Sequence, residues 1–168
     1  MNDPEALLLT GLFGTGKSSV ASEMAETLEA RGVLYAAIDL DWLCWGYAGE
    51  GPGAEHRMLL ANVVPVVVNY RSAGVTRFIL ARSMRTRDEV DGLREAIGMP
   101  LRVVRLTAPW DEIERRLRSD VTSGRQQDLR DAAAWRDAND DEGAEDRVVA
   151  NDRPIGEVAQ EILVWLGW

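Results

Sequence analysis

Residues 11–18, Gly-Leu-Phe-Gly-Thr-Gly-Lys-Ser, constrain this chain more than any other segment, because they complete the pattern G-x-x-x-x-G-K-[ST]. Glycines at 11, 14 and 16 let the backbone turn so that successive N–H groups face one point, the geometry of an anion cradle. The flanks fit that reading. Residues 6–10 (ALLLT) are a short apolar run suited to a strand buried on both faces. From 17 to 30, Val20, Met24 and Leu28 recur at steps of four beside Glu23, Glu26 and Glu29, and Gly32 ends the pattern, which predicts a helix. A helix start behind a glycine loop adds its positive end to the cradle. The motif therefore implies a nucleoside-triphosphate site. Gly11, Gly14, Thr15, Gly16 and Ser19 form it, Lys17 reaches the β- and γ-phosphates, and the Ser18 hydroxyl ligates Mg²⁺. Lys17 is the only lysine among 19 basic residues.

The rest of the chain alternates. Residues 33–38 read as a second strand, 44–55 as a glycine-rich loop, and 56–73 as a helix, with Pro65 as the point where it would kink, despite a β-prone run of valines. Then follow a strand at 77–81, a helix at 88–97, a strand at 101–106 and a helix at 109–118. A polar connection is expected at 119–127, a helix at 128–138, a strand at 147–150 and a helix at 154–166. Five strands alternating with helices predict an α/β fold with a parallel sheet covered on both faces. Ligands then bind beyond the carboxyl ends of the strands.

Acidic residues outnumber basic ones by 28 to 19, giving a net charge of −9, so a nucleic-acid backbone or an anionic membrane is not the expected partner. Six of the acids, Asp137, Asp140, Asp141, Glu142, Glu145 and Asp146, fall within 137–146 and read as a solvated loop. No run reaches the roughly 18 apolar residues of a membrane span. The acidic start lacks the basic region of a signal peptide, so a cytoplasmic protein is expected. The single cysteine, Cys44, excludes an intrachain disulfide and reads as a small buried side chain; His56 reads as a surface or capping residue.

At the end of the second strand, residues 38–43 (IDLDWL) set Asp39 and Asp41 two positions apart, which in extended geometry points both carboxylates to one side. With the glycine loop near the N-terminus and a short chain, this D-x-D resembles the small-molecule kinases: shikimate, gluconate and adenylylsulfate kinases and chloramphenicol phosphotransferase. The resemblance implies a three-layer P-loop NTPase fold, one domain over 1–168, a five-stranded parallel sheet ordered 2-3-1-4-5 and a small lid at about 119–128. It also implies ATP and Mg²⁺ as cofactors, with Asp39 serving the metal and Asp41 the hydroxyl of a small-molecule acceptor. By the same resemblance Arg118 and Arg125 are lid arginines that close on the γ-phosphate, and Arg153 and Pro154 lie beside adenine.

Trp42, Trp45 and Tyr47 cluster after the second strand and suit an acceptor pocket, and Arg82, Arg85 and Arg87 after the third suit an anionic acceptor. Arg116 is expected only to pair with Glu112. The chain departs from adenylylsulfate kinases at residues 81–85 (ARSMR), where those enzymes carry Ser-Pro-aromatic-Arg, and in lacking their Arg-Asp-Pro-Lys lid sequence. Three activities remain open: a kinase of a small alcohol, a nucleoside or nucleotide kinase, and a nucleotide-binding regulator or slow NTPase without a specific acceptor.

Overall fold

The computed structural model describes residues 3–46, 51, 53–119, 123–138 and 143–168, with side chains of the fifth helix described over 126–137. Five strands, β1 (Glu5–Thr10), β2 (Tyr35–Asp39), β3 (Arg77–Ala81), β4 (Leu101–Thr107) and β5 (Arg147–Ala150), form one sheet. Its order is β2-β3-β1-β4-β5 and every pairing is parallel, as expected. The helices are α1 (Lys17–Ala30), α2 (Ala54–Ser72), α3 (Arg87–Ile97), α4 (Trp110–Arg118), α5 (Ser123–Ala138) and α6 (Ile155–Leu166).

β1 is central, and its side chains alternate between two cores. Leu8 packs with Phe78, Leu80 and Val103 against the α2 and α3 side chains Leu59, Val63, Val90 and Leu93. Leu7 and Leu9 pack with Ile79, Val104 and Leu106 against Val20, Met24, Leu28, Val158 and Ile162 of α1 and α6. Burial on both faces is why the run carries no polar alternation. A third cluster joins Ile113, Leu117 and Ala132 of α4 and α5 to Leu12 and Phe13, so both helices are anchored on the glycine loop.

Several local expectations change. α2 runs without interruption through Pro65, because Leu59, Val63 and Val67 are buried at steps of four while Val64, Pro65 and Val68 face outward; periodicity overrides the β preference of valine. α5 begins at Ser123, within the stretch expected as a connection, since Gln127 bonds Asp131 and Arg130 bonds Gln127 at helical spacing. Of the expected lid, 120–122 lie outside the described residues. So do Tyr47 of the aromatic loop and Asp140, Asp141 and Glu142 of the acidic stretch. The ends of that stretch are not merely solvated: Glu145 bonds Arg105 at 3.0 Å, and Asp146 accepts from the Val103 backbone N–H at 2.7 Å. Among the described residues no helix is long and apolar enough to cross a membrane.

Candidate active site

The glycine loop leaves β1 at Gly11 and enters α1 at Lys17. Gly11 takes φ 129°, and a Cβ there would stand 2.3 Å from the Leu106 carbonyl oxygen of β4, so only glycine lets the loop start so close to the sheet. Gly16 takes φ 91°, and a Cβ there would meet Asn151 Nδ2 at 2.4 Å. Lys17 Nζ donates to the Gly11 and Leu12 carbonyls at 3.2 and 2.9 Å, which holds the ammonium within the loop. Thr15, almost fully buried, closes the turn through Oγ1 on the Leu12 carbonyl. A cavity of about 390 Å³ lies over this loop, lined by Gly14, Gly16, Lys17, Ser18, Ser19, Asp39, Asp41 and Arg116 among others.

Of the two acids, Asp39 closes β2 in extended geometry but Asp41 does not. The chain turns at once into a 3₁₀ helix, Leu40–Leu43, in which Asp39 is the N-cap and its Oδ1 accepts from the Asp41 N–H at 3.1 Å. The turn separates the carboxylates by partner. Asp39 Oδ2 accepts from Ser18 Oγ at 3.1 Å, whereas Asp41 Oδ1 accepts from Arg82 Nη1 at 2.5 Å. Burial raises the Asp41 carboxyl above the ordinary aspartate value, an effect that Arg82 opposes without cancelling. A carboxylate of this kind is a stronger proton acceptor than one in water.

Beyond Asp41 a second cavity, about 340 Å³, is lined by Phe13, Asp41, Cys44, Trp45, Gly46, Glu55, Arg82, Ser83 and Asp128. Phe13 and Asp41 border both cavities. Arg82 bridges Asp41 and Glu55 at 2.5 Å each and stands 3.0 Å from Cys44 Sγ; only 13% of its side chain is exposed. Burial pushes the Cys44 thiol up, again against Arg82. Trp42 and Trp45 pack with ring centroids 4.6 Å apart, but Trp42 lines a neighbouring hollow and only Trp45 reaches this cavity. Arg85 lies over the Trp135 ring at 5.2 Å, and Arg87 donates to the Gly143 carbonyl. His56 packs against Gly92 of α3 and lines neither cavity.

The structure redistributes the expected arginines. Arg116 lines the cavity over the glycine loop: Nη1 donates to the Gly14 carbonyl at 3.1 Å, while Nε on Glu112 at 2.8 Å fixes its rotamer. Arg118 instead pairs with Glu114 at 2.6 Å and is largely exposed. The Arg125 side chain lies outside the described residues. Arg153 pairs with Glu161, and Pro154 is the N-cap of α6. Asn151, just before them, is buried and donates from Nδ2 to the Thr15 carbonyl at 2.8 Å. Arg116 and Asn151 are the site residues that sequence reasoning missed. Helical phase left Arg116 facing away from Arg118, and only the fold decides which of the two meets the loop. Asn151 lies 136 residues from its partner, and no local pattern marks it.

The arrangement offers an amide and ammonium cradle for phosphate oxygens, a hydroxyl beside a carboxylate, and a second carboxylate at the mouth of an adjoining cavity. No protein-family model matches the chain, and no curated protein matches it in sequence. Solved structures do resemble it over nearly its whole length. A sugar kinase from Janibacter sp. HTCC2649 superposes with a TM-score of 0.69 at 19% identity, covering 98% of this chain and 95% of its own. The Mycobacterium tuberculosis APS kinase, solved with AMPPNP and APS, gives 0.67 at 23% identity and full coverage of both chains. The shikimate kinase of Bacteroides thetaiotaomicron gives 0.66 at 17%, covering 98% and 99%. At these identities the likeness is one of fold: a three-layer P-loop kinase fold.

Proposed function

We propose that the protein is an ATP- and Mg²⁺-dependent phosphotransferase that moves the γ-phosphate to a hydroxyl of a small molecule. The observation that carries this reading is the adjacency of two cavities across Asp41 and Phe13, one over the glycine loop and one beside it. A nucleotide-binding regulator needs the first cavity only. A transferase needs both, with a proton acceptor between them.

In this reading the loop amides from Gly14 to Ser18, with Lys17 and Arg116, hold the β- and γ-phosphates and oppose the charge that develops during transfer. Ser18 and Asp39 would hold Mg²⁺, since a hydroxyl and a carboxylate already 3.1 Å apart are hard oxygen donors of the kind that ion takes. When bound, the ion neutralises phosphate charge. The acceptor hydroxyl oxygen forms the new bond to the γ-phosphorus, the bond from that phosphorus to the β,γ-bridging oxygen breaks and ADP departs, and the hydroxyl proton passes to Asp41. Arg82 is a positioning residue that holds Asp41 toward both cavities. Residues 1–168 act as one domain, with 119–128 as its lid. Arg125 contributes on lid closure, and Arg153 and Pro154 flank the base, while Arg118 stays on Glu114 at the helix surface.

The test is ADP release from ATP across a panel of antibiotics, sugars, nucleosides and nucleotides, each run with and without the acceptor. Stimulation by an alcohol is expected. Hydrolysis that no compound alters contradicts the reading.

A further inference from the structure

The residues of the glycine loop divide between cavities. Gly14, Gly16, Lys17 and Ser18 line the one over the loop, whereas Gly11, Leu12 and Thr15 line a separate one of about 200 Å³ that lies between the loop and β4. Its remaining walls are the end of β4 with Ile113 of α4 and Trp135 and Arg136 of α5. Protein interiors pack so closely that few voids exceed a water molecule, so a hollow of this size is room for a ligand. An apolar cavity of about 150 Å³ already takes up benzene.

The wall selects an uncharged aromatic molecule. Leu12, Leu106, Ala108 and Ile113 are apolar, and Trp135, only 5% exposed, adds a ring. Each guanidinium there has a carboxylate partner, Arg105 with Glu145 at 3.0 Å and Arg136 with Asp137 at 2.9 Å, so among the described residues neither sign of ligand charge is preferred. Guanidinium faces still stack on rings. Arg136 lies over Trp110 at 4.1 Å and Arg85 over Trp135 at 5.2 Å, and an aromatic ligand extends that stacking.

We propose that this cavity is a regulatory site for a small uncharged aromatic molecule, which acts on nucleotide binding through Leu12 and Ile113. The Leu12 carbonyl accepts from the Thr15 N–H, Thr15 Oγ1 and Lys17 Nζ at 3.3, 2.9 and 2.9 Å, so a ligand packed against Leu12 restrains the turn and its ammonium together. Ile113 stands one turn before Arg116 on α4, and its Cγ2 lies 3.2 Å from where a Cβ on Gly14 would be. Occupancy therefore braces the loop and α4 in the arrangement that faces the phosphates. ATP in turn tightens the ligand, because coupling between two sites is reciprocal.

Indole tests the site, with indole-3-acetate and tryptamine as anionic and cationic counterparts. Binding is followed by calorimetry, and the Kd of ATP is measured with and without saturating indole. Indole is expected to bind at one site per chain and to lower the Kd of ATP by about fivefold or more. Ala108→Leu, which fills the cavity away from the phosphate contacts, should abolish indole binding while ATP still binds. Ala108→Val, a smaller intrusion, should weaken indole binding and serves if the larger side chain prevents folding. No binding of indole, indole affinity untouched in the variant that folds, or a Kd of ATP that indole leaves unchanged overturns the proposal, as does tighter binding of either charged counterpart. Indole carries no hydroxyl to phosphorylate, so none of these outcomes depends on the phosphotransferase reading.

Discussion

Arg116 and Arg118 stand two residues apart on α4, and their surroundings assign them different work. Arg116 is braced by Glu112 and touches the glycine loop, whereas Arg118 is spent on Glu114 at the surface. Removing a guanidinium that opposes developing phosphate charge typically costs a rate on the order of 10²-fold. Arg116→Ala is expected to lose about that much in kcat for acceptor-dependent ADP release, while Arg118→Ala stays within about threefold of wild type, the range of an exposed ion pair. Equal losses would return the role to both. Asp41 makes a separate prediction. Its folded-state pKa lies above the ordinary value of 3.8, so its ionised form opposes folding at neutral pH and ceases to do so once acid protonates it in both states. Asp41→Asn should therefore melt at or slightly above wild type near neutral pH, with the gap closing as pH falls from the raised folded-state value toward the ordinary one and absent below it. The gap is small because 54% of the side chain is exposed. A thermal scan across pH that finds the variant clearly less stable at neutral pH contradicts the assignment of burial as the dominant cause.

Three elements grip the glycine loop from outside: Ser83 after β3 donates to the Gly11 carbonyl at 2.9 Å, Arg116 on α4 to Gly14, and Asn151 after β5 to Thr15. The loop is thus held by the strand ends of the sheet as well as by its own glycines. Asn151→Ala leaves a buried carbonyl without its partner, a cost of about 1–3 kcal/mol. It should raise Kd for ATP, read by calorimetry, by about tenfold; an unchanged Kd would mean that the loop keeps its shape unaided. The gripping residues were not legible in the sequence because each bond spans between 72 and 136 residues. What was legible is what depends on short-range pattern: the strand–loop–helix of the cradle, the parallel alternation and α2 despite its proline. The 3₁₀ turn at Leu40–Leu43 was not. IDLDWL alternates apolar and acidic residues as a strand would, and only the Asp39 cap, which depends on a side-chain rotamer, bends it.

At the scale of the whole chain, a net charge of −9 says little about the site. Among the described residues, Lys17 and Arg116 line the cavity over the glycine loop and Arg82, Glu55 and Asp128 the adjoining one, with Phe13 and Asp41 on the border. One central strand, buried on both faces, delivers the glycine loop to the top of the sheet where these charges meet. The account stands on transfer across that border, so its most direct test is labelled γ-phosphate followed from ATP to an acceptor that stimulates the wild-type protein, with Asp41→Asn and Lys17→Arg in parallel. The expected result is labelled acceptor from wild type, and none from Asp41→Asn although its ATP affinity stays within about threefold. Lys17→Arg should be crippled too, because the fork of a guanidinium does not replace a compact ammonium inside the loop. Undiminished transfer by Asp41→Asn, or label that passes only to water in every protein, would contradict the central claim.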